Sequence, residues 1–167
     1  MSLTGDNPWL SSSVTNDYLN TLLKKKFNIT TFLGVFPCDI FPLEINEGES
    51  IILNTDPHHL PGKHYICLYR KNSRYFYFDS LAVNRKLAFK TLTENFKKRK
   101  ISPIINVLTQ PIQHFSSKFC GFFCVDYILA ISEEFKNVKR VSYFCEKTKL
   151  QQNDVICFKN IIACINK

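Results

Sequence analysis

One cysteine stands where a polar loop, His114-Phe115-Ser116-Ser117-Lys118, gives way to a long apolar run. That run reads as a helix, so Cys120 falls at its N-terminus. There the positive end of the helix dipole and unpaired N–H groups favour a thiolate, the nucleophilic form of the side chain. Gly121 follows at once and, lacking a Cβ, would let a substrate backbone come close. The other cysteines have less reactive surroundings. Cys124 lies one turn further on and belongs to the core, as do Cys157 and Cys164 on the last helix, and Cys67 sits inside an apolar strand. Seven cysteines at irregular spacing, with no C-x-x-C pair, argue against a zinc knuckle or a thioredoxin-type site, and no metal is expected.

A thiol nucleophile needs a base, and the base needs an orienting acid. Two aromatic and apolar runs, His64-Tyr65-Ile66-Cys67-Leu68-Tyr69 and Tyr75-Phe76-Tyr77-Phe78-Asp79, flank the polar segment Arg70-Lys71-Asn72-Ser73-Arg74. This pattern predicts a β-hairpin. Centring its turn between Lys71 and Asn72 pairs residues whose numbers sum to 143, which sets His64 opposite Asp79. Directly opposed residues have Cβ atoms roughly 4.5–5.5 Å apart. A one-residue slip would send the two side chains to opposite faces. His58 and His59, in a turn-rich loop, and His114, beside Gln113, are the rival bases. No predicted hairpin sets an acid opposite any of them. Gln113 precedes Cys120 by seven residues. Its amide and the Cys120 N–H can both donate to a developing oxyanion. Gln110 competes locally for that role.

The elements that must position these residues follow from hydrophobic spacing. A helix capped by one of Ser11 to Ser13 carries Val14, Tyr18, Leu19, Leu22 and Leu23. Phe32 to Phe36 is a short apolar run closed by Pro37, and strands are expected over 50–54 and 104–108, together with the two hairpin strands. The hairpin runs are nearly continuous in apolar residues, which predicts burial on both faces. Helices are expected over 84–100, built on Leu87, Phe89, Leu92 and Phe96, and over 120–135 and 154–165. The alternation predicts an α+β fold with a central mixed β-sheet flanked by helices.

The chain has 167 residues, 45% of them hydrophobic, which suits one domain with a substantial core. No segment has the layout of a secretory signal, and no apolar run reaches the roughly 20 residues a membrane span needs. A non-secreted, intracellular protein without membrane contact, acting as a monomer, is expected. The net charge is +8, with basic clusters at 24–26, 97–100 and 136–140. These are either solvated helix ends or a nucleic-acid contact.

The order His64, Asp79, Gln113, Cys120-Gly121 resembles the adenovirus protease (adenain) family and the related ubiquitin-like-protein proteases. The matching stretches are Gly62-Lys63-His64-Tyr65, Tyr77-Phe78-Asp79-Ser80 and Gln113-x6-Cys120-Gly121-Phe122-Phe123-Cys124. Asn7-Pro8-Trp9-Leu10 and Gly34-Val35-Phe36 are similar to further segments. The motif-bearing part runs from about 54 to 130, in the style of the adenain-like enzymes of DNA viruses and Polinton/Maverick elements. The resemblance implies a papain-like, permuted cysteine protease core. It implies a catalytic set of His64, Asp79 and Cys120, with Gln113 and Cys120 forming the oxyanion hole. It also implies substrate contacts at Tyr65, Trp9 and Gly121. The activity implied is cleavage of viral or element precursor proteins after Gly-containing sites, in a host nucleus or a virion. No cofactor is needed for the chemistry, although DNA or a short peptide activates within the family. The alternatives are a deubiquitinase or deSUMOylase, and an inactive nucleic-acid-binding module on the same fold. Two departures stand out: Tyr65 replaces the usual Trp after the histidine, and the acid is Asp79, where adenain has Glu.

Overall fold

The computed structural model describes residues 14–167. Trp9 and the serines expected to cap the first helix lie outside the described residues. Strands β1 (Phe32–Pro37), β2 (Ser50–Asn54), β3 (Tyr65–Lys71), β4 (Arg74–Phe78) and β5 (Ile104–Asn106) form one sheet in that order. The pairs β1–β2 and β4–β5 are parallel, and β2–β3 and β3–β4 antiparallel. The fold is therefore α+β around an open, mixed five-stranded sheet. Its helices are α1 (Asn16–Thr21), which runs on as a π-helical turn over Leu22–Lys26, α2 (Arg85–Ala88), α3 (Lys90–Lys98), α4 (Cys120–Ile131) and α5 (Asn153–Ile165). Thr15 caps α1 by accepting from the Tyr18 N–H at 3.2 Å.

Both faces of the sheet are covered, as the continuous apolar strands predict. Ile52, Cys67 and Phe78 face a core built with α1, α4 and α5. Ile51, Leu53, Ile66, Leu68 and Tyr77 point the other way, onto Phe41, Ile45, Leu92, Phe96 and Ile101. Every residue of β2 is buried. Burying each large apolar side chain contributes about 1.5–3 kcal/mol. The layer carrying α4 therefore holds that helix firmly against β3.

Three expectations need correction. The hairpin turn is the two-residue Asn72-Ser73, both with positive φ (52° and 59°). Positive φ at both central residues marks the type I′ turn that matches strand twist. Arg70 and Lys71 therefore join the ladder, paired with Tyr75 and Arg74. The paired numbers sum to 145 rather than 143. The helix expected over 84–100 is broken at Phe89, whose φ of −129° and ψ of 68° end α2 and start α3. Leu87, expected in the core, is 84% exposed. The helix from Cys120 ends at Ile131. Ser132 turns extended, and a 3-10 turn takes over at Glu133–Phe135. No helix among the described residues is long and apolar enough to cross a membrane.

Candidate active site

His64 stands one residue before β3 and Asp79 one residue after β4. With pair sums of 145, Ile66 is the position opposite Asp79, so His64 lies diagonally across from the acid. A register change of two keeps both side chains on one face, because side chains alternate with period two. The contact thus survives the corrected register. Nε2 of His64 lies 2.7 Å from Oδ1 of Asp79, and both residues are buried. An ionised carboxylate only accepts, so Nε2 carries the proton and Nδ1 is the ring atom left for the thiol.

The backbone fixes both partners. Thr55 N–H donates to the His64 carbonyl at 2.9 Å, carrying the β2–β3 ladder one step past its end. Asp79 closes a tight turn. Its Oδ1 accepts from the Leu81 N–H at 2.9 Å and its Oδ2 from the Val83 N–H at 3.3 Å. Phe89, freed by the break between α2 and α3, stacks on the imidazole with ring centroids 5.9 Å apart and planes 19° from parallel. That contact explains the helix break, and periodicity alone could not reveal it.

Cys120 opens α4, and no side chain caps the helix. The first N–H groups of a helix lack intrahelical acceptors, so the Cys120 N–H has no acceptor within α4 and can bind an anion. Cys120 lies beside the His64 imidazole, and both line the same cleft. Burial opposes the charged form of His64. Its hydrogen bond to the Asp79 carboxylate, the Asp79 charge and the neighbouring Cys120 outweigh it and raise the histidine to about 9. Burial is the largest cause on the other buried cysteines. It pushes Cys38 up to about 11, with Asp39 and Asp56 adding to it, and Cys157 to about 12, and it raises Cys67 and Cys124 as well. Those thiols stay protonated and inert.

His64, Gln113 and Cys120 line one cleft of about 790 Å³, with Asp79 buried behind the imidazole. Tyr65 also lines it. Its hydroxyl donates to Asn16 Oδ1 at 2.6 Å and to the Val14 carbonyl at 3.2 Å, binding α1 to the cleft wall. The loop before His64 folds back over Asn54 so closely that a Cβ on Gly62 would lie 2.0 Å from the Asn54 amide nitrogen. Only glycine fits there, at a φ of +90°. Gly121 has a different role from the one its sequence position suggests. It is buried, and a Cβ would meet Leu19 at 3.1 Å and Tyr65 at 3.3 Å. It lets α1 pack on the start of α4 rather than opening space for a substrate.

The rival histidines have other partners, although His58 lines the same cleft. His58 does have an acid, Asp39, at 2.6 Å, but its side chain is 57% exposed. Asp39 comes from the loop after β1, a partnership no hairpin argument could find. His114 contacts Ser116 Oγ at 2.7 Å. Neither protein-family models nor curated proteins contain a match to this chain.

Proposed function

We propose that this chain is a cysteine endopeptidase with a papain-like, permuted catalytic core of the adenain type. The observation that supports it most is the buried convergence of Cys120, His64 and Asp79 beside Gln113 at one cleft. Three segments far apart in the chain supply these groups, and a core does not need them together.

The chemistry runs as follows. The Cys120 thiolate attacks the scissile carbonyl carbon, forming a C–S bond while the C=O π pair moves onto oxygen. The Cys120 N–H and the Gln113 amide hold that oxyanion. Collapse re-forms the carbonyl and expels the amine, which takes the proton from the His64 imidazolium. The thioester is then attacked by water. His64 removes the water's proton, and Cys120 leaves as thiolate, releasing the acid.

By resemblance, the substrates are precursor proteins of a virus or mobile element cut after Gly-containing sites, in a host nucleus or virion. DNA or a peptide would act as activator. The test is hydrolysis of a Gly-Gly peptide by wild type, Cys120→Ser and Cys124→Ser, with and without duplex DNA. Cys120→Ser should abolish turnover and Cys124→Ser should retain it. Loss in the second variant but not the first sinks the assignment. A ubiquitin or SUMO C-terminal probe that labels Cys120 rapidly would move the reading to a deubiquitinase or deSUMOylase. A chain that binds DNA, with a Cys120 alkylated no faster than an ordinary thiol, would be the inactive module.

A further inference from the structure

Gln113 has an amide that can be turned either way, and only one orientation serves an oxyanion hole. Two contacts decide which. One end of the amide lies 2.8 Å from the Ser117 carbonyl oxygen, which can only accept. That end must therefore be Nε2. The other end, Oε1, lies 2.5 Å from Ser80 Oγ, so the hydroxyl must donate to it. Nε2 carries two N–H groups. Ser117 takes one, and the other is left for the cleft that Gln113 lines.

Ser80 also holds Gln113 by its backbone. Its carbonyl accepts from the Ile112 N–H at 2.9 Å and the Gln113 N–H at 3.0 Å. The residue is fully buried, and Gln113 is 3% exposed. Ser117 is fixed in turn: its hydroxyl donates to Asp154 Oδ1 at 2.8 Å and accepts from the Phe119 N–H at 3.1 Å. Neighbouring residues thus divide the work, Asp79 aiming the base and Ser80 aiming the amide.

We propose that Ser80 is a positioning residue of the oxyanion hole, acting on the reaction only through the orientation of Gln113. The proposal rests on the protease reading above. Without the Ser80 hydroxyl, Oε1 is a buried acceptor without its donor, and only the Ser117 contact is left to set the productive orientation.

The experiment is a double-mutant cycle of Ser80→Ala and Gln113→Ala. It is read by kcat and KM on a fluorogenic Gly-Gly peptide, by affinity for the matching peptide aldehyde, and by the iodoacetamide alkylation rate of Cys120. Gln113→Ala should lower kcat about 100-fold or more. Ser80→Ala alone should lower kcat about 10-fold and weaken the aldehyde, whose adduct carries the tetrahedral oxygen, by a similar factor. KM and the alkylation rate should stay close to wild type, because the thiolate pair is untouched. In the Gln113→Ala background, Ser80→Ala should have no further effect on kcat. Wild-type kcat in Ser80→Ala, or losses that multiply across the cycle, would overturn the proposal. So would an alkylation rate that falls in step with kcat, which would mark general disturbance of the site. If Ser80→Ala fails to fold, Ser80→Cys, a weaker donor of similar size, takes its place with the same criteria. A wild-type chain that neither cleaves the peptide nor retains the aldehyde defeats the protease reading itself. An active wild type with a silent Ser80→Ala defeats this proposal alone.

Discussion

The proton on His64 is held by two buried partners, and this gives a signature in pH. The folded chain keeps that proton up to about 9, against an ordinary value of 6.5. Between these values the folded state binds a proton that the unfolded state has released. The associated stability is therefore fully present below about pH 6.5 and is lost as pH rises through about 9. Wild type should lose about 3 kcal/mol relative to His64→Gln across that window, measured by denaturant unfolding at several pH values. A flat difference would mean that the imidazole is neutral in the folded chain. In the protease proposed above, the same proton would set the alkaline limb of kcat/KM, which reports the free enzyme. Asp79→Asn removes a negative charge from beside the ring, so the alkaline limb should move to lower pH as activity falls. A limb that stays in place would assign it to another group. Of these residues, Cys120 was legible from its loop-to-helix context, and His64 with Asp79 from their flanking of a hairpin. Ser80 was not legible, because a serine beside an acid is too common to signal anything until Gln113 is seen to face it.

At the scale of elements, local patterns announced most strands and helices, while their junctions depended on packing from outside. The hairpin was legible, but its turn was placed one position too early, because the polar segment Arg70 to Arg74 hides where the ladder ends. Asn72-Ser73 takes the positive-φ pair without glycine at the second position. Ser73→Gly should relieve that strain and stabilise the chain by about 0.5–1 kcal/mol, raising Tm by roughly 2–4 °C. An unchanged or lower Tm would show that the αL serine costs nothing here. The break at Phe89 was illegible for a different reason. Leu87, Phe89, Leu92 and Phe96 fit a helical period well enough. The imidazole competing for the Phe89 ring comes from the start of β3, remote in sequence. Gly121 teaches the same lesson: its neighbours Leu19 and Tyr65 are set by α1 and β3, so its purpose appears only when those elements meet.

Across the whole molecule, some of the positive charge that suggested a nucleic-acid contact belongs to the fold. Arg99 lies over the Phe41 ring at 3.9 Å and donates to the Phe41 and Pro42 carbonyls. Arg140 pairs with Asp126, which is 3% exposed in the middle of α4. That carboxylate also accepts from the Tyr143 hydroxyl and, at 3.2 Å, from the Asn160 amide. It therefore joins α4 to the segment 140–143 and to α5, the helix whose Asn153 donates to the Ile112 carbonyl at 2.7 Å. The arrangement is a hub rather than a pair, and this makes the two ends unequal. Asp126→Ala removes a shared acceptor from the Arg140 guanidinium, the Tyr143 hydroxyl and the buried Asn160 amide at once, and should cost about 3–5 kcal/mol. Arg140→Ala leaves the carboxylate two donors and a side chain closer to solvent, so it should cost distinctly less. Denaturant midpoints of the two variants measure the difference, and equal costs would reduce the hub to a simple ion pair. Cys120 heads the same helix but takes its partners from β3 and the Asp79 turn. At temperatures where Asp126→Ala remains folded, its Cys120 should therefore alkylate at the wild-type rate, separating the groups that hold the molecule together from those that act on a substrate.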